Sequence, residues 1–151
     1  MSIRNLVENN GLVLPQAPMP VGNYVATLNA GNLLFISGQL PIINGELVYT
    51  GQLGKELTTQ LGKMAAELCA LNLLSQIENS LGTRKLKSVV KIEGYINARE
   101  SFTDHAEVLN GASDLISTIL TDKSGHIRTV VGCTSLPMNA AVEISAIVEL
   151  E

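Results

Sequence analysis

The sequence predicts an α+β fold in which one mixed sheet carries its two long helices on a single face. Three observations lead there. Strand-like apolar runs lie towards both ends of the chain, two long stretches between them repeat their apolar residues every three or four positions, and the connections are short. The order reads ββ(β)αβαββ, and helices segregated to one side of a sheet make an α+β sandwich. A chain of 151 residues forms one domain, long enough to bury roughly two-thirds of its unfolded surface.

Residues 2–10 suit a short helix. Gly11 and the run Pro15-Gln16-Ala17-Pro18-Met19-Pro20 then impose an extended lead-in, because each proline removes a donor and biases its predecessor away from helix. Residues 1–21 therefore read as an N-terminal extension and 22–151 as the main domain. Tyr24 to Leu28 and Leu33 to Ser37 form a hairpin across Gly31-Asn32, and a second turn at Asn44-Gly45 leads into Glu46 to Tyr49. Residues 55–79 predict a helix with one apolar stripe: Leu57, Leu61, Met64, Ala65, Leu68, Leu71, Leu74 and Ile77. Gly82 is its stop signal. Val90, Ile92, Gly94 and Ile96 alternate with polar neighbours as a strand with one buried face. A second helix spans 104–121, with Val108, Leu109, Leu115, Ile116, Ile119 and Leu120 as its apolar side. Strands at 127–135 and 140–150 close the chain.

Composition narrows the function classes. Apolar residues make up 46% of the chain, which excludes disorder. Charged residues make up only 16%, in keeping with some surface being hidden in an oligomer. A net charge of −4, aromatics at 3% and no Trp weigh against a nucleic-acid partner. The one basic cluster, Arg84-Lys85-Leu86-Lys87, reads as a solvated turn after a helix. Cys69 and Cys133 match no zinc spacing and suggest no disulfide framework. No signal peptide opens the chain and no apolar run reaches ~18 residues, so a cytoplasmic location without membrane contact is the expectation.

Four motifs in order carry a resemblance. Ser37-Gly38-Gln39-Leu40-Pro41 resembles the S-G-Q-[IL]-P segment of the RidA (YjgF-like) family. His126-Ile127-Arg128-Thr129 stands where that family usually has P-A-R-S. Leu136-Pro137 and Val142-Glu143-Ile144 resemble its L-P…[VI]-E-[IV] ending, and Tyr24 and Asn110 fall where it places a tyrosine and an asparagine. The resemblance runs from about residue 22 to the C-terminus. It implies a chorismate-mutase-like fold assembled as a homotrimer with clefts between subunits. It also implies cofactor-free deamination of reactive 2-imino acids, such as 2-aminoacrylate, to 2-keto acids. Binding of small carboxylates without turnover, and the endoribonuclease or translation-inhibitor activities described for some relatives, remain the alternatives.

Arg128 lies in an otherwise apolar strand, where a guanidinium requires an anion. It reads as the clamp for a planar substrate carboxylate or as half of an intersubunit ion pair; the resemblance favours the clamp. Glu143 points away from the apolar face formed by Val142, Ile144, Ala146 and Val148, either as a solvated acid or as the base that activates water. Tyr24, Ser37, Gly38 and Asn110 join Arg128 as candidate substrate contacts, each with an ordinary structural role as its alternative. For the unusual pair Asn110-Gly111, that alternative is close packing at Gly111 or plain local irregularity. His126 departs from the family proline and reads as a loop cap or a proton-transfer group. If 127–135 and 141–149 pair as a simple hairpin, Glu143 faces Cys133 and lies roughly 16 Å from Arg128 along the sheet. One small substrate then cannot touch both in one subunit, so either the pairing is not a simple hairpin or a second subunit completes the site; the resemblance implies the second. No metal or organic cofactor is expected.

Overall fold

The computed structural model describes residues 1–151. The first helix, α1 (Ile3–Asn9), starts where the Ser2 side chain accepts from the Asn5 amide at 3.1 Å. It buries Ile3 and Val7 in the same core as the rest of the chain, and Leu14 of the lead-in joins them. Strands β1 (Thr27–Ala30) and β2 (Leu33–Gln39) form an antiparallel hairpin. A second, two-residue hairpin joins β3 (Ile42–Ile43) to β4 (Glu46–Leu47) across Asn44 and Gly45, both at positive φ as that turn requires.

Helix α2 (Thr59–Ser80) begins later than the apolar periodicity implies. Thr58 caps it by accepting from the Leu61 amide at 3.2 Å, while the preceding segment spends its amides elsewhere. Leu53 donates to the Asn97 carbonyl and Gln52 donates to Glu56 Oε2. The expected stripe is also rotated. Met64 is exposed, and the buried residues are Gly62, Ala65, Ala66, Cys69, Ala70, Leu73, Leu74 and Ile77 with the polar Asn72, Ser75 and Gln76. Small residues win the inner positions because α2 is sandwiched between the sheet and a second long helix. Strand β5 (Leu86–Asn97) follows, then α3 (His105–Leu120), β6 (Ile127–Cys133) and β7 (Val142–Leu150).

The five-stranded mixed sheet has the order β1-β2-β7-β5-β6. Its three helices lie on one side, α2 over β2 and β7 and α3 beside β6, with α1 against both. The expected hairpin between the last two strands does not form. Strand β6 pairs in parallel with β5, and β7 inserts between β2 and β5. The reason is connectivity: β5, α3 and β6 make a crossover unit, which delivers a parallel neighbour. The segment after β6 then turns through Met138 (φ 59°) and Asn139 (φ 60°) and crosses to the other side of β5. No helix is long and apolar enough to cross a membrane.

The far face of the sheet carries no helix. Leu28 (63% exposed), Ile127 (67%) and Val131 (46%) lie on it with Phe35 and Tyr95, interrupted by a Lys91–Glu93 ion pair at 2.7 Å.

Helices α2 and α3 touch backbone to backbone at Gly111, where a Cβ would overlap the Lys63 carbonyl. That contact accounts for a glycine in mid-helix. Gly111→Ala gains helix propensity worth up to ~1 kcal/mol but overpacks a rigid contact at a cost of about 1–3 kcal/mol. Chemical denaturation of the variant should therefore show a net loss of stability; a gain would mean that the helices separate freely.

Candidate functional site

The six residues singled out from the sequence fall into two groups. Tyr24, Ser37, Gly38 and Glu143 line one cavity of about 220 Å³, together with Pro18, Met19, Leu40 and Pro137. None of its thirteen lining residues is Lys, Arg or His. Arg128 and Asn110 lie elsewhere.

A β-bulge shapes the first group. On β2, Ile36 opposes Ala146 and Gln39 opposes Ile144, so Ser37 and Gly38 are extruded opposite Ser145 alone. The Glu143 side chain lies directly over Gly38, and a Cβ there would overlap its carboxylate. Only glycine leaves room. Ser37 keeps its amide on the Ala26 carbonyl at 2.9 Å, and the Tyr24 hydroxyl accepts from the Val21 amide at 3.3 Å. Glu143 has no ion-pair partner within the chain, and partial burial raises its pKa above the ordinary 4.5. Burial, and then the Glu143 charge, also push up the nearby Cys133 thiol.

The cavity wall depends on residues that periodicity alone did not single out. Buried Gln76 of α2 donates from Nε2 to the Pro18 carbonyl at 2.8 Å and to Gln39 Oε1 at 3.3 Å. Gln39 in turn donates to the Ser37 carbonyl at 3.1 Å. Asn72 donates to the Leu40 and Ile42 carbonyls, both at 2.9 Å, and Ser75 donates to the Pro15 carbonyl at 2.6 Å. The available signal was three amide or hydroxyl side chains at 72, 75 and 76, set among leucines on one helix.

The second group sits at the other edge of the sheet. Arg128 aligns with Ile92 and Ala146, on the face covered by helices, whereas Glu143 aligns with Tyr95 and Val131 on the open face. They are offset by three residues, roughly 10 Å, and by two strand spacings, roughly another 10 Å. The hairpin geometry predicted for them is thus corrected, and their separation now follows from opposite faces. Arg128 donates to Ser113 Oγ at 3.1 Å and to the Ala106 carbonyl at 3.2 Å, both on α3. Asn110 is half-buried and lies between those residues in the helical register, on the same side of α3. His126 also turns to this side, 3.0 Å from Ser113 Oγ. Nowhere do three or more His, Cys, Asp or Glu side chains gather as a metal site.

A mixed sheet with three helices on one face and a glycine-bulge acid site defines a chorismate-mutase-like α+β protein. The family model described as "YjgF/chorismate_mutase-like, putative endoribonuclease" matches residues 4–150, and the chain belongs to this RidA/YjgF-like family. Protein TCP17 of Trypanosoma cruzi is 44% identical over 95% of this chain and 91% of its own. A 2-iminobutanoate/2-iminopropanoate deaminase of Dermatophagoides farinae is 29% identical over 91% of this chain and 93% of its own. Among solved structures, Atu1372 of Agrobacterium tumefaciens, a protein of unknown function, is 40% identical with a TM-score of 0.91, covering 99% of this chain and 92% of its own.

The Gly38–Glu143 contact can be tested by stability. Gly38→Ala should destabilise by about 1–3 kcal/mol, and in a Glu143→Ala background the same change should cost much less. Equal costs in both backgrounds would show that the two residues do not touch.

Proposed function

We propose that the protein hydrolyses 2-imino acids to 2-keto acids and ammonia at sites built jointly by two subunits of a homotrimer. One observation carries this reading. Each chain places the acid Glu143 and the cation Arg128 on opposite faces of the sheet, too far apart to hold one small substrate between them, and in this reading each is half of a site. A closed ring with heterologous contacts brings one half from each neighbour at every interface. The apolar open face supplies surface for such an association. The deaminase named for a relative at 29% identity supports the reaction class.

In this reading Arg128 takes the substrate carboxylate through paired N–H donors and holds the C=N bond over Glu143 of the neighbouring subunit. The Glu143 carboxylate accepts a proton from water as the water oxygen bonds to the imine carbon. The C=N electron pair moves to nitrogen, which takes up a proton. Glu143 then relays the hydroxyl proton of the resulting carbinolamine to its amine nitrogen, the C–N bond breaks, and ammonia leaves behind a keto acid. Tyr24, Ser37 and Gly38 shape the pocket around the reacting carbon, and Asn110 stands beside the carboxylate. Each step uses side-chain and water protons alone.

The test generates a 2-imino acid in situ with an amino-acid oxidase and traps surviving imine with semicarbazide. The wild-type protein should lower the semicarbazone yield, while Arg128→Ala and Glu143→Gln should each lose on the order of 100-fold in rate. If the wild type matches the blank across several imines, the pocket is a binding site without turnover. Subunit sharing has its own check. The two inactive variants, unfolded and refolded together, should recover roughly a quarter of wild-type activity by random assortment around the ring. No recovery would confine the site to one chain.

A further inference from the structure

We propose, resting on the carboxylate role of Arg128, that Ser113 is the positioning residue for its guanidinium and that His126 fixes the direction of the Ser113 hydroxyl. An arginine on an edge strand has a long, flexible stem, and an unanchored guanidinium meets a carboxylate in many orientations. Here Nη1 donates to Ser113 Oγ at 3.1 Å and Nη2 donates to the Ala106 carbonyl at 3.2 Å. Both acceptors are neutral. A guanidinium offers five N–H donors, so three stay free for a two-pronged grip on an anion.

The hydroxyl itself is oriented. His126 Nδ1 lies 2.5 Å from the Ser124 carbonyl, and Nε2 lies 3.0 Å from Ser113 Oγ. A carbonyl only accepts, so a hydrogen belongs on Nδ1, and in that tautomer of the imidazole Nε2 is the acceptor. The Ser113 hydrogen then points at His126, and its lone pairs are left for Arg128. Each member donates to the next: Arg128 to Ser113, Ser113 to His126, His126 to the Ser124 carbonyl. Ser124 is itself fastened by its hydroxyl to the Thr121 carbonyl. The Ser113–His126 pair is not a nucleophile with its base, because Arg128 already donates to the serine oxygen and neither residue lines the Glu143 cavity.

The experiment measures KM and kcat for a 2-imino acid generated in situ, with folding of each variant followed by thermal unfolding. Ser113→Ala should raise KM about tenfold and leave kcat within about twofold, the pattern for a lost contact that binds substrate and transition state alike. Ser113→Thr keeps the hydroxyl and should restore the wild-type KM. His126→Ala should raise KM in the same direction, about threefold, because the hydroxyl is then free to turn its hydrogen towards Arg128. A wild-type KM in Ser113→Ala, a matching loss in kcat, or no rescue by threonine would overturn the positioning role. The underlying reading is judged separately: it fails if Arg128→Ala retains wild-type kinetics, whereas an impaired Arg128→Ala beside a normal Ser113→Ala removes only the role of Ser113.

Discussion

The candidate site takes its shape from backbone carbonyls that have no strand to pair with. The lead-in is rich in prolines and cannot lie in the sheet, and the turn after β2 leaves the ladder at a bulge. Both pass over α2, where a buried carbonyl without a donor costs about 1–3 kcal/mol. Helix α2 answers with Asn72, Ser75 and Gln76, residues that are poorer helix formers than the leucines around them or have polar ends to bury. Their bonds to the Pro15, Pro18, Leu40 and Ile42 carbonyls set the cavity wall. Gln76 also reaches Gln39, and through it the Ser37 carbonyl, so one helix side chain ties the lead-in to the bulge that seats Glu143.

Sheet topology does the complementary work. Strand β7 lies between β2 and β5, with its alternate residues packed under the helices and Glu143 turned to the open face. Strand β6 is an edge strand in parallel register with β5, which puts Arg128 beside α3 rather than beside Glu143. The same crossover that makes β6 parallel therefore divides the acid from the cation. A chain whose groups were meant to act on one another internally would need them on one face. Here Glu143 stands on the open face, while Arg128 stands on an edge strand on the helix-covered face.

The elements were legible where period and local chemistry agreed. Helix α3, the Asn44-Gly45 turn and the alternation along β5 stand close to where the sequence places them. The start of α2 was not, because Leu57 fits the helical period while the cap falls at Thr58 and the preceding amides bond to distant partners. Its rotated face was hidden because alanine, glycine and cysteine are weak signals in a periodicity dominated by leucine. Strand order was hidden for a different reason: the segment from β6 to β7 is short enough for a hairpin, and only the pairing of β6 with β5 excludes one. For the site, Glu143 and Gly38 could be named singly from motif and alternation, yet their contact depends on a bulge that no local pattern announces.

The charge state of Glu143 links these threads. Within one chain, burial without a cation raises its pKa, so the carboxyl holds its proton more firmly than a solvated acid does. A general base near neutral pH benefits from such a shift only while a useful fraction remains ionised. A guanidinium brought to the far side of a bound substrate acts in the opposite direction, favouring the ionised form across a gap too wide for direct pairing. The substrate carboxylate largely cancels that pull when it sits in the guanidinium fork. In the proposed assembly, substrate that neutralises Arg128 would thus strengthen Glu143 as a base as it binds.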